Sequence, residues 1–206
     1  LTTGLMVAVD ATCSGLQILA GLARDKSTAE LVNVVPSNKP SDAYKAVAEQ
    51  AKEFLPTYMH RWMNRAVCKR TVMTIPYNAT KDSSRKYIRE ALLEEGIDPT
   101  KDELTQVVNA VYCSMDTIVP GPMQVMRWIK KHVGQYIRNG ATEVEWVTPS
   151  GFVVNQRRDD IETERMELQL LGRTQVRLPT GKTSPSPNKH KSSTAPNYIH
   201  SFDASI

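Results

Sequence analysis

The chain is short of several things, and each shortage removes a class of function. Its three cysteines, Cys13, Cys68 and Cys113, stand far apart with no Cys-x-x-Cys pair. That scatter speaks against a disulfide frame or a zinc site and fits reduced thiols. No apolar run approaches the ~20 residues of a membrane-spanning helix, and no signal-peptide pattern opens the chain. There is no internal repeat. Charge of one sign is scarce too: 26 Lys and Arg against 22 Asp and Glu leave a net +4. Such a balance permits a polyanionic partner without arguing for one. What is present is an ordinary globular composition, 40% hydrophobic and 23% charged over 206 residues. That is enough for one large domain or two small ones. The first residue is Leu1 and the last, Ile206, falls inside an expected helix. An internal piece of a longer protein is therefore expected.

Hydrophobic patterning gives a coarse order of elements. Leu5 to Val9 is apolar and partly β-branched, and Asp10 ends it, which predicts a buried strand. A helix is expected near 13–25, then a loop-like stretch from Val32 to Asn38. Ser41-Asp42 predicts the cap of a helix that runs to Leu55 and stops at Pro56. Residues 61–75 predict a third helix, ending or bending at Tyr77 because Pro76 cannot sit in a helix interior. Helices follow over 83–95, 101–117 and 121–138, with Gly96 and Asn139-Gly140 as stops. The pattern then changes. Residues 143–147, 152–156 and 164–178 favour strands, with Pro149-Ser150-Gly151 as a hairpin turn. Residues 179–195, rich in Pro, Ser, Thr and Lys, predict a mobile loop, and Ala195-Pro196 the start of a last helix. The class expected is α/β or α+β, with a large helical insertion.

Two constellations carry chemistry. Asp10 closes a strand just before a helix start. Its carboxylate is a hard oxygen ligand suited to Mg²⁺, which takes one or two protein carboxylates beside substrate phosphates. A plain helix cap is an equal reading of that segment. The second constellation is Arg65, Lys69, Met73 and Tyr77, spaced by four. On an α-helix they form one slowly drifting stripe, and twelve residues rise ~18 Å. Arg65 and Lys69 fall toward the helix N-terminus, where cations and the dipole both favour phosphate. Tyr77 offers an aromatic face and a hydroxyl at the far end. Arg70 faces elsewhere and reads as a structural or template-strand contact. A solvated basic face with a core Met and Tyr is the plainer account of the same stripe.

Taken in order, these segments resemble the bacteriophage-type single-subunit RNA polymerases, which include mitochondrial enzymes. Asp10-Ala11-Thr12-Cys13-Ser14-Gly15-Leu16-Gln17 is similar to the family's first polymerase motif. Arg65, Lys69-Arg70-Thr71-Val72-Met73-Thr74 and Tyr77-Asn78 are similar to its second, with Asn78 where the family has Gly. Trp146 to Phe152 resembles the start of its promoter-reading β ribbon, and Ala195 to Ser205 the segment before its third motif. The third motif, His-Asp-Ser with the second metal aspartate, is not in the chain.

The resemblance implies a palm part with the first metal motif over 1–40 and helical fingers over 41–140, carrying a nucleotide-binding helix at 61–77. It further implies a β-hairpin specificity loop over 141–180, and a loop and returning palm helix over 181–206. It implies Mg²⁺ bound by Asp10 and the Ala11 backbone, with the second aspartate outside the chain. Arg65 and Lys69 would hold the triphosphate, with Met73 on the same stripe. Tyr77 would choose ribose, and Tyr44 and His200 would neighbour the nucleotide. The implied activity is template-directed RNA synthesis. The partners are promoter and template DNA, nascent RNA and ribonucleoside triphosphates, without a membrane and as a monomer, in a phage-infected host or a mitochondrion. The short spacing between motifs favours the phage. The chain alone, with half a metal site, is expected to be inactive.

Ribbon residues Arg165, Glu167 and Arg173 alternate along a strand and are candidates to read base edges in the major groove. A charged hairpin with cross-strand pairs is the plainer reading. Two other functions stand beside transcription. One is a DNA polymerase of the related palm class, against which the Cys13 to Gln17 run and the ribbon argue. The other is a non-catalytic DNA-binding remnant of a polymerase.

Overall fold

A computed structural model describes residues 4, 11–168, 172 and 174–205 of the chain. Two compact units divide at Met126/Arg127. Asp10 and the strand expected over 5–9 lie outside the described residues, as does Arg173.

The first unit is helical. Its elements are α1 (Ser14–Ala23), α2 (Lys26–Leu31), α3 (Ala43–Lys52), α4 (Arg65–Thr74), α5 (Lys81–Glu94) and α6 (Lys101–Ile118), and it takes in the first turns of α7 (Pro120–Arg138). Apolar side chains at helical spacing make the core: Leu16 and Leu19 of α1, Val47 of α3, Val67 and Val72 of α4, Ile88 and Leu92 of α5, Val107 and Val111 of α6. Each such side chain removed from water contributes roughly 1.5–3 kcal/mol.

Local chemistry sets the helix starts. The Asp42 carboxylate accepts from the amides of Tyr44 and Lys45. Asn64 caps α4 through the Val67 amide, Thr80 caps α5, and Thr100 with Glu103 forms a reciprocal capping box on α6.

Two expectations are corrected here. The helix expected over 13–25 stops at Ala23, because Arg24 turns left-handed at φ 51° and its amide bonds back to Gly21. Asp25 then caps the unexpected α2, and its carboxylate also accepts from the Gly121 amide. Burial pushes the Asp25 carboxyl up, but bonds from Ser27, Thr28 and Gly121 outweigh it and hold it at about 2. The helix expected over 61–75 begins only at Arg65. Residues 57–62 form a 3₁₀ turn instead, and Asn64 takes the capping position. As expected, Pro76 ends the helix: Ile75–Tyr77 tighten into a 3₁₀ turn. Asn78 closes it at φ 65°, a conformation Asn tolerates better than most residues.

The second unit holds two small antiparallel sheets and a helix. In the first sheet β1 (Val144–Val147) pairs β2 (Val153–Gln156), with Trp146 opposite Val154. The expected turn joins them, with Gly151 at φ 81° donating its amide to Thr148. In the second, β3 (Asp159–Leu168) pairs β4 (Thr174–Pro185). The stretch 164–178, expected to favour strands, is divided between β3 and β4, with Gly172 at φ 103° between them.

The mobile loop expected over 179–195 is also corrected. β4 runs on to Pro185, and α8 spans Pro187–Asp203. Ser186 caps α8 through the Lys189 amide, and Pro187 occupies the first turn, where its missing N–H does no harm. Pro196 therefore sits inside α8 rather than opening it. The Pro- and Ser-rich composition that suggested a loop is a helix start followed by a helix-internal proline. Mixed helices and antiparallel strands make the chain α+β.

Candidate active site

The site grows from the first turn of α3. Asp42 caps that turn with one carboxylate oxygen and offers the other, Oδ2, to Arg65 Nε at 2.6 Å. Burial raises the Asp42 carboxyl, yet the Arg65 bond and the Lys45 and Tyr44 amides bring it below its usual range. The pair is largely exposed, so its net contribution to stability is about 0–1 kcal/mol. Its effect is positional: it fixes the first residue of α4.

Two residues on, the buried Tyr44 lies under the Arg65 guanidinium, 5.3 Å from ring centroid to Cζ. Its hydroxyl donates to the Thr12 carbonyl at 2.8 Å. Burial and the neighbouring Cys13 drive the phenol upward, so it stays protonated and donates. Cys13 is itself raised by burial, partly offset by the Leu16 amide and the Tyr44 hydroxyl.

The other end of α4 meets the same segment. The Tyr77 and Ser14 hydroxyls are 3.1 Å apart. Gly15 makes room for this: a Cβ there would lie 2.8 Å from Pro76 Cβ and 3.3 Å from the Tyr77 ring. Residues 12–15, which follow Asp10 in sequence, are thus held from two sides.

Between those ends the stripe is open to solvent. Lys69 is exposed and has no ion pair among the described residues. Met73 is exposed at 41%. The structure therefore holds Tyr44 against Thr12, Arg65 over Tyr44 and Tyr77 against Ser14, with Lys69 and Met73 exposed along α4 between Arg65 and Tyr77. Tyr77 leaves the regular four-residue spacing, because the 3₁₀ turn rotates it further per residue than an α-turn does. Arg70 points elsewhere, pairing with Glu90 at 2.9 Å and lying 4.1 Å over the Tyr87 ring.

Sequence reasoning missed the working partners Asp42, Ser14 and Gly15. The Ser41-Asp42 cap signal located Asp42 but carried no hint of Arg65. The Gly15 requirement depends on a residue 61 positions away, Pro76, that no local pattern connects to it.

Among the described residues no three His, Cys, Asp or Glu side chains gather to hold a metal. Ala11 is exposed, and Asp10 lies outside the described residues. A carboxylate with a backbone carbonyl is the hard-oxygen set magnesium accepts, so the two residues fit the ion in kind. No helix among the described residues is long and apolar enough to cross a membrane.

The remaining candidates belong to the second unit. His200, exposed on α8, lines a cavity of about 390 Å³ with Asn155, Gln156, Arg157, Arg158 and Asn197. Gln156 and Asn197 are hydrogen-bonded at 2.7 Å beneath it. Arg165 faces Arg177 across the β3–β4 ladder, and Glu167 faces Gln175. Alternation puts these four on one face of the ribbon, with Met166, Val176 and Leu178 on the other.

A family model for DNA-dependent RNA polymerase matches residues 2–206, and the chain belongs to that family. T7 RNA polymerase of Escherichia phage T7 is 27% identical over 98% of this chain and 29% of its own length. The mitochondrial DNA-directed RNA polymerases of Homo sapiens and Mus musculus are 30% and 29% identical, again over 98% of this chain. Those two are covered over 17% and 18% of their lengths, so the chain spans less than a third of each of these relatives.

Proposed function

We propose that the chain forms the nucleotide-gripping part of a DNA-directed RNA polymerase that extends RNA from ribonucleoside triphosphates on a DNA template. The observation that carries this reading is Lys69, solvent-facing and without an ion pair among the described residues, one turn beyond an Arg65 clamped by Asp42. In this reading residues 1–40 are palm, 41–140 fingers, 141–180 the promoter ribbon, and 181–206 the return to the palm. The 3′ hydroxyl of the RNA attacks the α-phosphate and pyrophosphate leaves. Lys69 and Arg65 hold the β- and γ-phosphates by charge-assisted bonds. Magnesium held by Asp10 and the Ala11 carbonyl would neutralise phosphate oxygens. Met73 and Tyr77 face the sugar and base, and the Tyr77 hydroxyl, steadied by Ser14, tells ribose from deoxyribose. Tyr44 and His200 are nucleotide neighbours in the same reading. Arg70, Arg165, Glu167 and Arg173 contact DNA. Relatives from both a phage and mitochondria leave both settings open.

The test uses the whole protein on a primed template, with Tyr77→Phe against the parent. Loss of one hydroxyl contact should shift sugar choice toward deoxynucleotides by about tenfold. Equal sugar choice in the two proteins would remove the Tyr77 role. A parent that incorporates no nucleotide would remove the function.

A further inference from the structure

Four cations far from the α4 stripe in sequence line a groove of about 320 Å³: Lys130, Lys131 and Arg138 of α7, and Lys191 of α8, with Gln135 beside them. No carboxylate lines it, and none of the four forms an ion pair among the described residues. By contrast, Lys26, Lys52, Arg70 and Lys189 each sit against a carboxylate. The α7 residues recur at helical spacing, so they share one face. Lys191 reaches that face because position 134 is glycine: a Cβ there would lie 2.0 Å from Lys191 Cε. Like charges held this close repel unless a polyanion sits among them. Partial burial also pushes the Lys130 ammonium below its usual range, a penalty that a bound anion relieves.

We infer that the α7–α8 groove is a second anion site, which takes the phosphodiester backbone of a nucleic-acid strand. The inference rests on the polymerase reading and adds a contact outside the nucleotide grip. From Lys130 to Arg138 the helix rises ~12 Å. A nucleic-acid strand carries one negative charge per nucleotide, so a short run of successive phosphates can lie along this face. The groove recognises charge and spacing, with little to read a base.

The experiment measures binding of the whole protein to a 20-nucleotide single strand and to a 20-base-pair duplex across a salt series. Each lost phosphate contact lowers the slope of log K against log salt by about 0.7 for single strands or 0.9 for duplex. Lys131→Gln with Lys191→Gln should therefore lower it by about 1.4 or 1.8, and the probe that responds identifies the strand. Gly134→Ala should displace Lys191 and lower it by about half as much, with all four cations still present. Lys26→Gln with Lys52→Gln, an equal charge loss elsewhere, should leave it unchanged. An unchanged slope with both probes overturns the site, as does an equal loss from the Lys26 and Lys52 control. Inorganic tripolyphosphate that binds the parent but not the Gln variants, with strand binding unaffected, overturns the strand assignment. RNA synthesis by the same preparations is read separately, so the site can fail while the polymerase reading stands.

Discussion

The α4 stripe and the β3–β4 ribbon carry similar side chains under opposite constraints. Arg65 is gripped by Asp42 and underlain by Tyr44, and Tyr77 is held beside Ser14 and Gly15. Its own helix packs on α3 and α5. Arg165 and Arg177 stand opposite each other on a two-stranded ladder whose residues are exposed on both faces, with Ile161 at 59% and Met166 at 48%. Groups that meet reacting atoms gain from fixed geometry, since small displacements cost rate. Groups that dock on a long polymer gain from a support that conforms to it. The α4 residues are thus held by side-chain partners, whereas the ribbon residues stand on an exposed ladder.

That contrast is broken most severely at Lys69. Lys69→Ala should lower kcat/KM for nucleotide incorporation by about 100-fold, through loss of a charged donor to the developing phosphate charge. Thermal stability should be unchanged, because the side chain is exposed and unpaired among the described residues. A loss below threefold in steady-state incorporation would move the grip off α4. Gly15→Ala strikes the rigidity itself. The added methyl meets the Pro76 ring at 2.8 Å, so unfolding free energy should fall by about 1–3 kcal/mol in a denaturant titration. Sugar selectivity should weaken with it as Tyr77 is displaced. The smallest effect belongs to the ribbon. Arg165→Ala should change stability by no more than about 0.5 kcal/mol, while binding to a preferred duplex weakens. A stability loss comparable to that of Gly15→Ala would mean that the ribbon is braced like α4.

The elements legible in the sequence were those with dense local signals. The cap at Asp42, the Pro76 break and the Pro149–Gly151 turn each follow from a few adjacent residues. The stripe from Arg65 to Met73 followed from its spacing. What escaped were features decided at a distance or by competing local rules. α2 depends on Arg24 adopting positive φ, which its residue type disfavours. The stretch 179–195 is crowded with residues that favour turns, yet Ser186-Pro187 reads equally as cap and first turn, and the strand pairing of β4 wins up to Pro185. Of the candidate site, the spacing of Arg65, Lys69, Met73 and Tyr77 was legible. The struts Thr12, Ser14, Gly15 and Asp42 were not, because each acts through a partner remote in sequence.

The first turn of α3 works as a gauge block. Within three residues, Asp42 sets where α4 begins and Tyr44 sets where the segment after Asp10 lies. The spacing between Thr12 and the start of α4 is therefore set by one short piece of backbone, and fraying of that turn releases both together. The Tyr44 and Lys45 amides, which donate to the Asp42 carboxylate, open to exchange with solvent only when the gauge loosens. They make a built-in readout of whether the site is assembled, independent of whether it turns over.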